Sequence, residues 1–282
     1  MGIEPATGLT ILAAAWGSKE LVVKLLGPTA DYLGGGMRDW TERGVQNMGR
    51  VFENARKKLG DRIETPGAVP PKVLKGIISE APFCDDELAA EYFGGVLASS
   101  RSGVSRDDRG AAFAALVGRL SAYQIRAHYF FYSVIRILYE GATENIGAQQ
   151  GRLRLKTFIP IAAFGTAMEF GPGERLEVLL GHVMFGLVRE TLIDNSFAFG
   201  PPNEIQMLYP QAGEPGLVIS PSPLGVELFL WAHGRGDLAA NAILNAAIEL
   251  RAETKMNTSP GCRSVNFPER TYPKSLSGTP VS

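Results

Sequence analysis

The run Cys84-Asp85-Asp86-Glu87-Leu88-Ala89-Ala90-Glu91-Tyr92-Phe93-Gly94-Gly95-Val96-Leu97-Ala98-Ser99-Ser100 decides the fold class of this chain. Three successive acids, Asp85 to Glu87, place negative charge at a helix start, where the unpaired N–H groups and the helix dipole favour it. Leu88, Tyr92, Phe93, Val96 and Leu97 then recur at i, i+4, i+5, i+8 and i+9, which is one apolar stripe on a 3.6-residue period.

Working towards the C-terminus, a polar loop runs from Ser99 to Ser105. Ser105 and Asp108 stand at the spacing of an acidic capping box. Phe113, Leu116, Val117 and Leu120 form the next stripe. Ser121 and Gln124 make a second capping box, which opens a long helix carrying Ile125, Tyr129, Tyr132, Ile135 and Leu138. Gly141 closes it. Tyr129, Phe130, Phe131 and Tyr132 wrap more than one face of that helix, the mark of a helix buried in a bundle core. Short loops between these elements predict antiparallel neighbours.

Working towards the N-terminus, Val73, Leu74, Ile77 and Ile78 predict a short amphipathic helix to Glu80, after a linker from Pro66 to Pro71. Trp40, Val45, Met48, Val51 and Phe52 predict a helix whose last turn is Arg56-Lys57-Lys58 and whose stop is Gly60, with cations at the end the dipole favours. Leu9, Leu12, Ala13 and Trp16 share a helical face further upstream. The apolar stretch from Gly8 to Leu33 contains Lys19, Glu20, Lys24, Pro28 and Asp31. It therefore falls short of the roughly 20 apolar residues of a spanning helix, but an interfacial helix over 8–36 remains a second reading.

Beyond Gly151 the pattern changes. Arg152 to Ile159 reads as a short strand or loop, Pro160 to Phe170 as a helix, and Glu174 to Val188 as a helix with Leu176, Leu179, Leu180, Val183 and Leu187 inward. Glu204–Tyr209 and Gly216–Ser220 read as two strands around a loop. Ser222-Pro223 caps a helix through Trp231. Asp237 is expected to cap a last helix to Arg251, and the Ser-, Thr- and Pro-rich tail from Lys255 to Ser282 to be flexible. The expected fold is mainly α: an N-terminal helical bundle followed by a smaller α+β winged-helix-like region. The segments are an apolar helical stretch 1–65, a bundle core 66–150, the winged-helix-like region 151–254 and the tail 255–282.

Bulk composition narrows the function classes. The formal net charge is −1, without the basic excess of a protein that grips a phosphate backbone. Cys84 and Cys262 fit neither a disulfide framework nor a zinc site and agree with a reducing compartment. No basic secretory n-region follows Met1, so a cytoplasmic chain is expected.

Motifs for chemistry are missing. His128, His182 and His233 lie in separate elements without metal-ligand spacing. Asp85-Asp86-Glu87 and Asp107-Asp108 read as helix-start acids rather than metal ligands. Gly34-Gly35-Gly36 follows no strand and no phosphate-loop pattern, and Gly44 and Gly49, with Gly27 and Gly34, fit close helix packing better. Neither a serine elbow nor an activated cysteine is present. No catalytic, cofactor-binding or metal-binding residue is assigned. The helix Glu174–Val188, as a recognition helix, would carry only Arg175 before Arg189, which argues against nucleic acid.

The run from Phe83 to Ser100 resembles the Abi-alpha (abortive infection alpha) family, in which an acidic D-D-E-L start leads into a helix ending L-L-A-S/N-A. Leu120-Ser121 matches the family's next helix junction. Leu26-Gly27-Pro28-Thr29-Ala30 and Ser220-Pro221-Ser222-Pro223-Leu224-Gly225 are similar to further family features. The resemblance implies a bacterial-type antiviral defence protein and brings no catalytic residues with it. It implies a non-catalytic role through a protein partner or self-association. A membrane-associated effector using residues 8–36 and a winged-helix DNA-binding regulator are the alternatives.

Overall fold

The computed structural model describes residues 19–26, 42–104, 106–250 and 261–271. The chain is mainly helical with a small antiparallel sheet. It divides into two compact units that do not follow chain order. The first draws on residues 19–122, 230–238 and 250; the second on 123–229, 239–249 and 261–271.

The first unit contains α1 (Lys19–Leu26), α2 (Glu42–Leu59), α3 (Pro71–Glu80), α4 (Glu87–Ser100) and α5 (Gly110–Arg119). Asp86 caps α4 as expected, its carboxylate accepting from Ala89 N at 2.8 Å. The apolar stripe of α4 is only part of what it buries. Ala89, Ala90, Glu91, Gly94 and Gly95 are buried too, so α4 is enclosed on all sides. Small residues explain this. A Cβ on Gly94 would lie 2.6 Å from Asn54 Cβ of α2, and one on Gly95 would lie 2.0 Å from Ala232 O. Backbones can come this close only where the side chain is a hydrogen. Close helix packing thus uses Gly94 and Gly95. Gly27, Gly34 and the triple glycine lie outside the described residues.

Arg101 closes this unit by binding backbone carbonyls. Its guanidinium donates to the carbonyls of Lys24, Arg62, Ile63 and Thr65, at 2.6–3.0 Å. The fork geometry of guanidinium suits several carbonyls at once. The helix expected after Ser105-x-x-Asp108 starts later, at Gly110, with no side-chain cap from Arg109. Ser105 lies outside the described residues. The Asp108 carboxylate instead meets Lys72 at 2.9 Å.

The second unit holds α6 (Ala122–Leu138, from Tyr123 on), α7 (Gln149–Arg154), α8 (Ile161–Met168), α9 (Leu176–Arg189), α10 (Pro202–Ile205) and the first turns of α11 (Pro223–Ala232). Tyr129 to Tyr132 are all buried, as the all-round apolar pattern of α6 predicts. Gly141 sits at φ +74°, a left-handed stop, and its N–H donates to Leu244 O at 2.8 Å.

The strands are β1 (Thr157–Pro160), β2 (Ala198–Gly200), β3 (Gly216–Ile219) and β4 (Arg263–Ser264), ordered β2-β3-β1-β4 and antiparallel throughout. β1 and β3 are buried along their whole length, which suits the apolar runs Phe158-Ile159-Pro160 and Leu217-Val218-Ile219. Phe158 and Val218 point to one face, into a cluster with Ile205, Tyr209 and Ala212.

Three expectations fail here. Glu204–Tyr209 is not a strand: Pro202–Ile205 is a helical turn, and Ile205 and Tyr209 fill the cluster beneath β1 and β3. Pro201-Pro202 presets helical φ at its start. The helix expected from Asp237 to Arg251 is only a 3-10 turn, Ala240–Leu244. Carbonyls that would close helical turns are drawn outward instead: Arg136 donates to Ile243 O and Ile248 O, and Gly141 to Leu244 O. The third concerns the tail 255–282, of which residues 255–260 and 272–282 lie outside the described residues. Residues 261–271 are anchored: β4 pairs with β1, Asn266 donates to Leu153 O and Arg154 O, and Arg270 donates to Leu138 O and Glu140 O.

Candidate functional site

The polar residues singled out in the sequence take up structural tasks in separate places. Asp85 accepts from Asn47 Nδ2 at 2.9 Å, Asp86 caps α4, and Asp107 pairs with Arg109 at 2.8 Å. Among the described residues, no group of three His, Cys, Asp or Glu side chains is placed to hold a metal ion. Cys84 is half-buried, and its thiol is pushed up by burial and by the charges of Asp86 and Asp85, the reverse of an activated nucleophile. Burial pushes the Cys262 thiol up to about 12. His182 is exposed on α9, and His128 and His233 are buried in different units.

A buried polar cluster lies in the second unit, at the N-terminus of α11. Ser222 Oγ accepts from Gly225 N at 2.9 Å and donates to Thr191 O at 2.6 Å. Tyr132 Oη donates to Leu192 O at 2.7 Å and accepts from Ser222 N at 3.0 Å. His128 Nε2 donates to Gly225 O at 3.0 Å, and its ring lies 4.6 Å from that of Tyr132. Asp194 pairs with Arg152 at 3.2 Å. Burial pushes the Tyr132 phenol well above its ordinary range, so it stays a neutral donor. Ser222 gives its proton to a carbonyl, not to a base. The cluster thus locks the segment 191–194 to α6 and α11.

A cleft of about 610 Å³ in the first unit is lined by Arg56, Lys57, Asp61 and Glu64, among others. Its wall charges are mixed, and Arg56 pairs with Glu53 and Glu64 with Lys24. The cleft presents no single sign of charge to a ligand.

The second unit also carries an apolar surface feature. α9 buries Leu180, Val183, Met184 and Leu187, and its opposite side exposes Val178 (63 %) and Phe185 (62 %). Phe197 and Phe199 flank Phe185 with edge-on ring contacts at 5.9 and 5.7 Å. Side chains two apart on a strand share a face. Phe199, and Phe197 just before the strand, therefore lie opposite Ala198, which packs on the Phe158–Val218 cluster. β2 is also an edge strand. Sequence reasoning placed the inward stripe of α9 but missed this patch. Its signals were the alternation Phe197-x-Phe199 and the two apolar residues of α9 outside the inward stripe.

No family profile, curated protein or solved structure matches the chain. The aromatic face at Phe185, Phe197 and Phe199 therefore stands as the candidate site on its geometry alone.

Proposed function

We propose that this chain works by protein contact rather than catalysis, in antiviral defence of the abortive-infection type, and that the aromatic face of α9 and β2 is its contact surface. The observation carrying the contact reading is Phe185, 62 % exposed and buttressed by two further phenylalanines. Large aromatics gathered on a surface are the usual anchors of protein interfaces. The defence setting rests on the resemblance of residues 83–100 and 220–225 to the Abi-alpha family.

Two other readings receive less support. If residues 151–254 form a winged-helix-like unit, α9 holds its recognition position. The exposed side of that helix then offers Val178 and Phe185 rather than a run of cations, which suits a protein better than duplex DNA. The membrane reading rests on residues 8–36, of which only Lys19–Leu26 are described. There Val22, Leu25 and Leu26 face inward. No helix among the described residues is long and apolar enough to cross a membrane.

Phage-challenge plating tests the proposal. Expression of the chain is expected to lower plaque efficiency for at least one phage of a broad panel, and Phe185→Ser to abolish that protection at equal expression. Unchanged plating across the panel overturns the defence reading. Full protection by Phe185→Ser overturns the contact surface.

A further inference from the structure

Along α9, Glu177, Gly181, Phe185 and Arg189 follow one another at intervals of four. Residues at this spacing form a single ridge on a helix surface. Glu177, Phe185 and Arg189 on that ridge are exposed, Arg189 while also pairing with its neighbour Glu190 at 3.2 Å. It reads acid, gap, ring, base. A Cβ placed on Gly181 would touch only the chain's own Phe185 ring, at 3.9 Å, so that ring lies against one side of the glycine and no other side chain covers it within 4 Å. Phe197 and Phe199 brace the ring from the side.

We propose that two copies of this chain pair through α9 about a two-fold axis, with Phe185 of each seated at Gly181 of the other and Glu177 of each facing Arg189 of the other. This inference rests on the protein-contact reading of the same face and names the partner as a second copy. In a two-fold interface, residue i meets j and j meets i. Antiparallel pairing centred at residue 183 brings 177 against 189 and 181 against 185 in the same register. The charge match and the knob-to-gap match therefore require one arrangement and not two. A parallel in-register pairing would oppose ring to ring and acid to acid. Antiparallel alignment also sets the helix dipoles favourably. The contact runs about 18 Å, twelve residues at ~1.5 Å each.

The test is sedimentation equilibrium on the full chain over a wide concentration range, with circular dichroism as the folding check. The wild-type chain is expected to dimerise. Glu177→Arg and Arg189→Glu are each expected to weaken the dimer roughly tenfold, since two symmetric pairs turn repulsive. The double variant Glu177→Arg/Arg189→Glu restores facing opposite charges and is expected to recover wild-type affinity. Gly181→Leu fills the gap and is expected to abolish the dimer, while its higher helix propensity protects the fold. A wild-type chain that stays monomeric overturns the dimer. So does a dimer that tolerates Gly181→Leu and ignores the charge reversals. Loss of phage protection by Phe185→Ser in a monomeric wild-type background would leave the contact reading standing without the dimer. A dimer of the expected kind whose Phe185→Ser variant still protects would leave the dimer standing without that reading.

Discussion

Lys58 of α2 and Glu91 of α4 form an ion pair at 3.2 Å with side chains only 2 % and 6 % exposed. Taking two charges out of water is costly, and their attraction offsets that cost only while both are present. Removing one partner is therefore worse than removing both. Lys58→Met or Glu91→Leu alone is expected to lower unfolding free energy by about 3–5 kcal/mol, and the double variant to regain most of it. A denaturant series on the double-mutant cycle reads this directly. Additive losses would mean that the two side chains do not act as a pair.

Gly95 leaves no room for a methyl group, because its Cβ would stand 2.0 Å from Ala232 O, a backbone atom that cannot swing aside. Gly95→Ala is expected to cost about 3 kcal/mol or to prevent folding, although alanine is the better helix former. Gly103→Ala meets nothing within 4 Å and should stay within about 0.5 kcal/mol of wild type. Thermal melts of the two variants give the comparison.

Thr191 holds φ +55° in the left-handed region, where a β-branched residue is strained. It ends α9, with Leu192 N donating back to Leu187 O at 2.7 Å. Glycine is the usual residue at such a stop. Thr191→Gly is expected to raise stability by about 0.5–1 kcal/mol, the relieved strain less the added freedom of the unfolded chain. Ser222 Oγ binds the Thr191 carbonyl, so the turn itself should survive. An equal or lower urea midpoint for Thr191→Gly would contradict this account.

Alkaline pH should loosen the second unit. Burial raises the Cys262 thiol and the Tyr139 phenol each to about 12. In the unfolded chain they ionise near about 8.5 and 10. Between those values and 12 the folded state holds protons that the unfolded state has lost, so stability falls as pH rises. These two groups contribute no slope below about pH 8. The Cys262 contribution is expected to decline from about pH 8.5, and that of Tyr139 from about pH 10, at up to ~1.4 kcal/mol per pH unit each. Cys262→Ala should move the onset to about pH 10. Urea midpoints measured from pH 7 to 11 check this, and an unchanged onset in Cys262→Ala would remove the thiol from the explanation.

What the sequence determined by itself is local. The helix starts at Glu87 and Ala122, the stops at Gly60 and Gly141, the buried aromatics of α6 and the Ser222 cap of α11 all follow from residues within a few positions of one another. Helix periodicity, capping and left-handed stops act over one or two turns, so a linear reading finds them. Tertiary structure decided the rest. Glu204–Tyr209 looked like a strand because its apolar residues suit either element, and the cluster under β1 and β3 chose the helical turn. The 239–249 segment had helical residues, but Arg136, more than a hundred positions away, takes its carbonyls. The tail became a strand edge because β1 had an open side for Arg263 and Ser264. The aromatic face at Phe185, Phe197 and Phe199 joins a helix to a strand around the Asp194 turn. Each residue alone reads as core, and only the fold, by turning the other side of α9 inward, leaves Phe185 on the surface with Phe197 and Phe199 half-buried beside it.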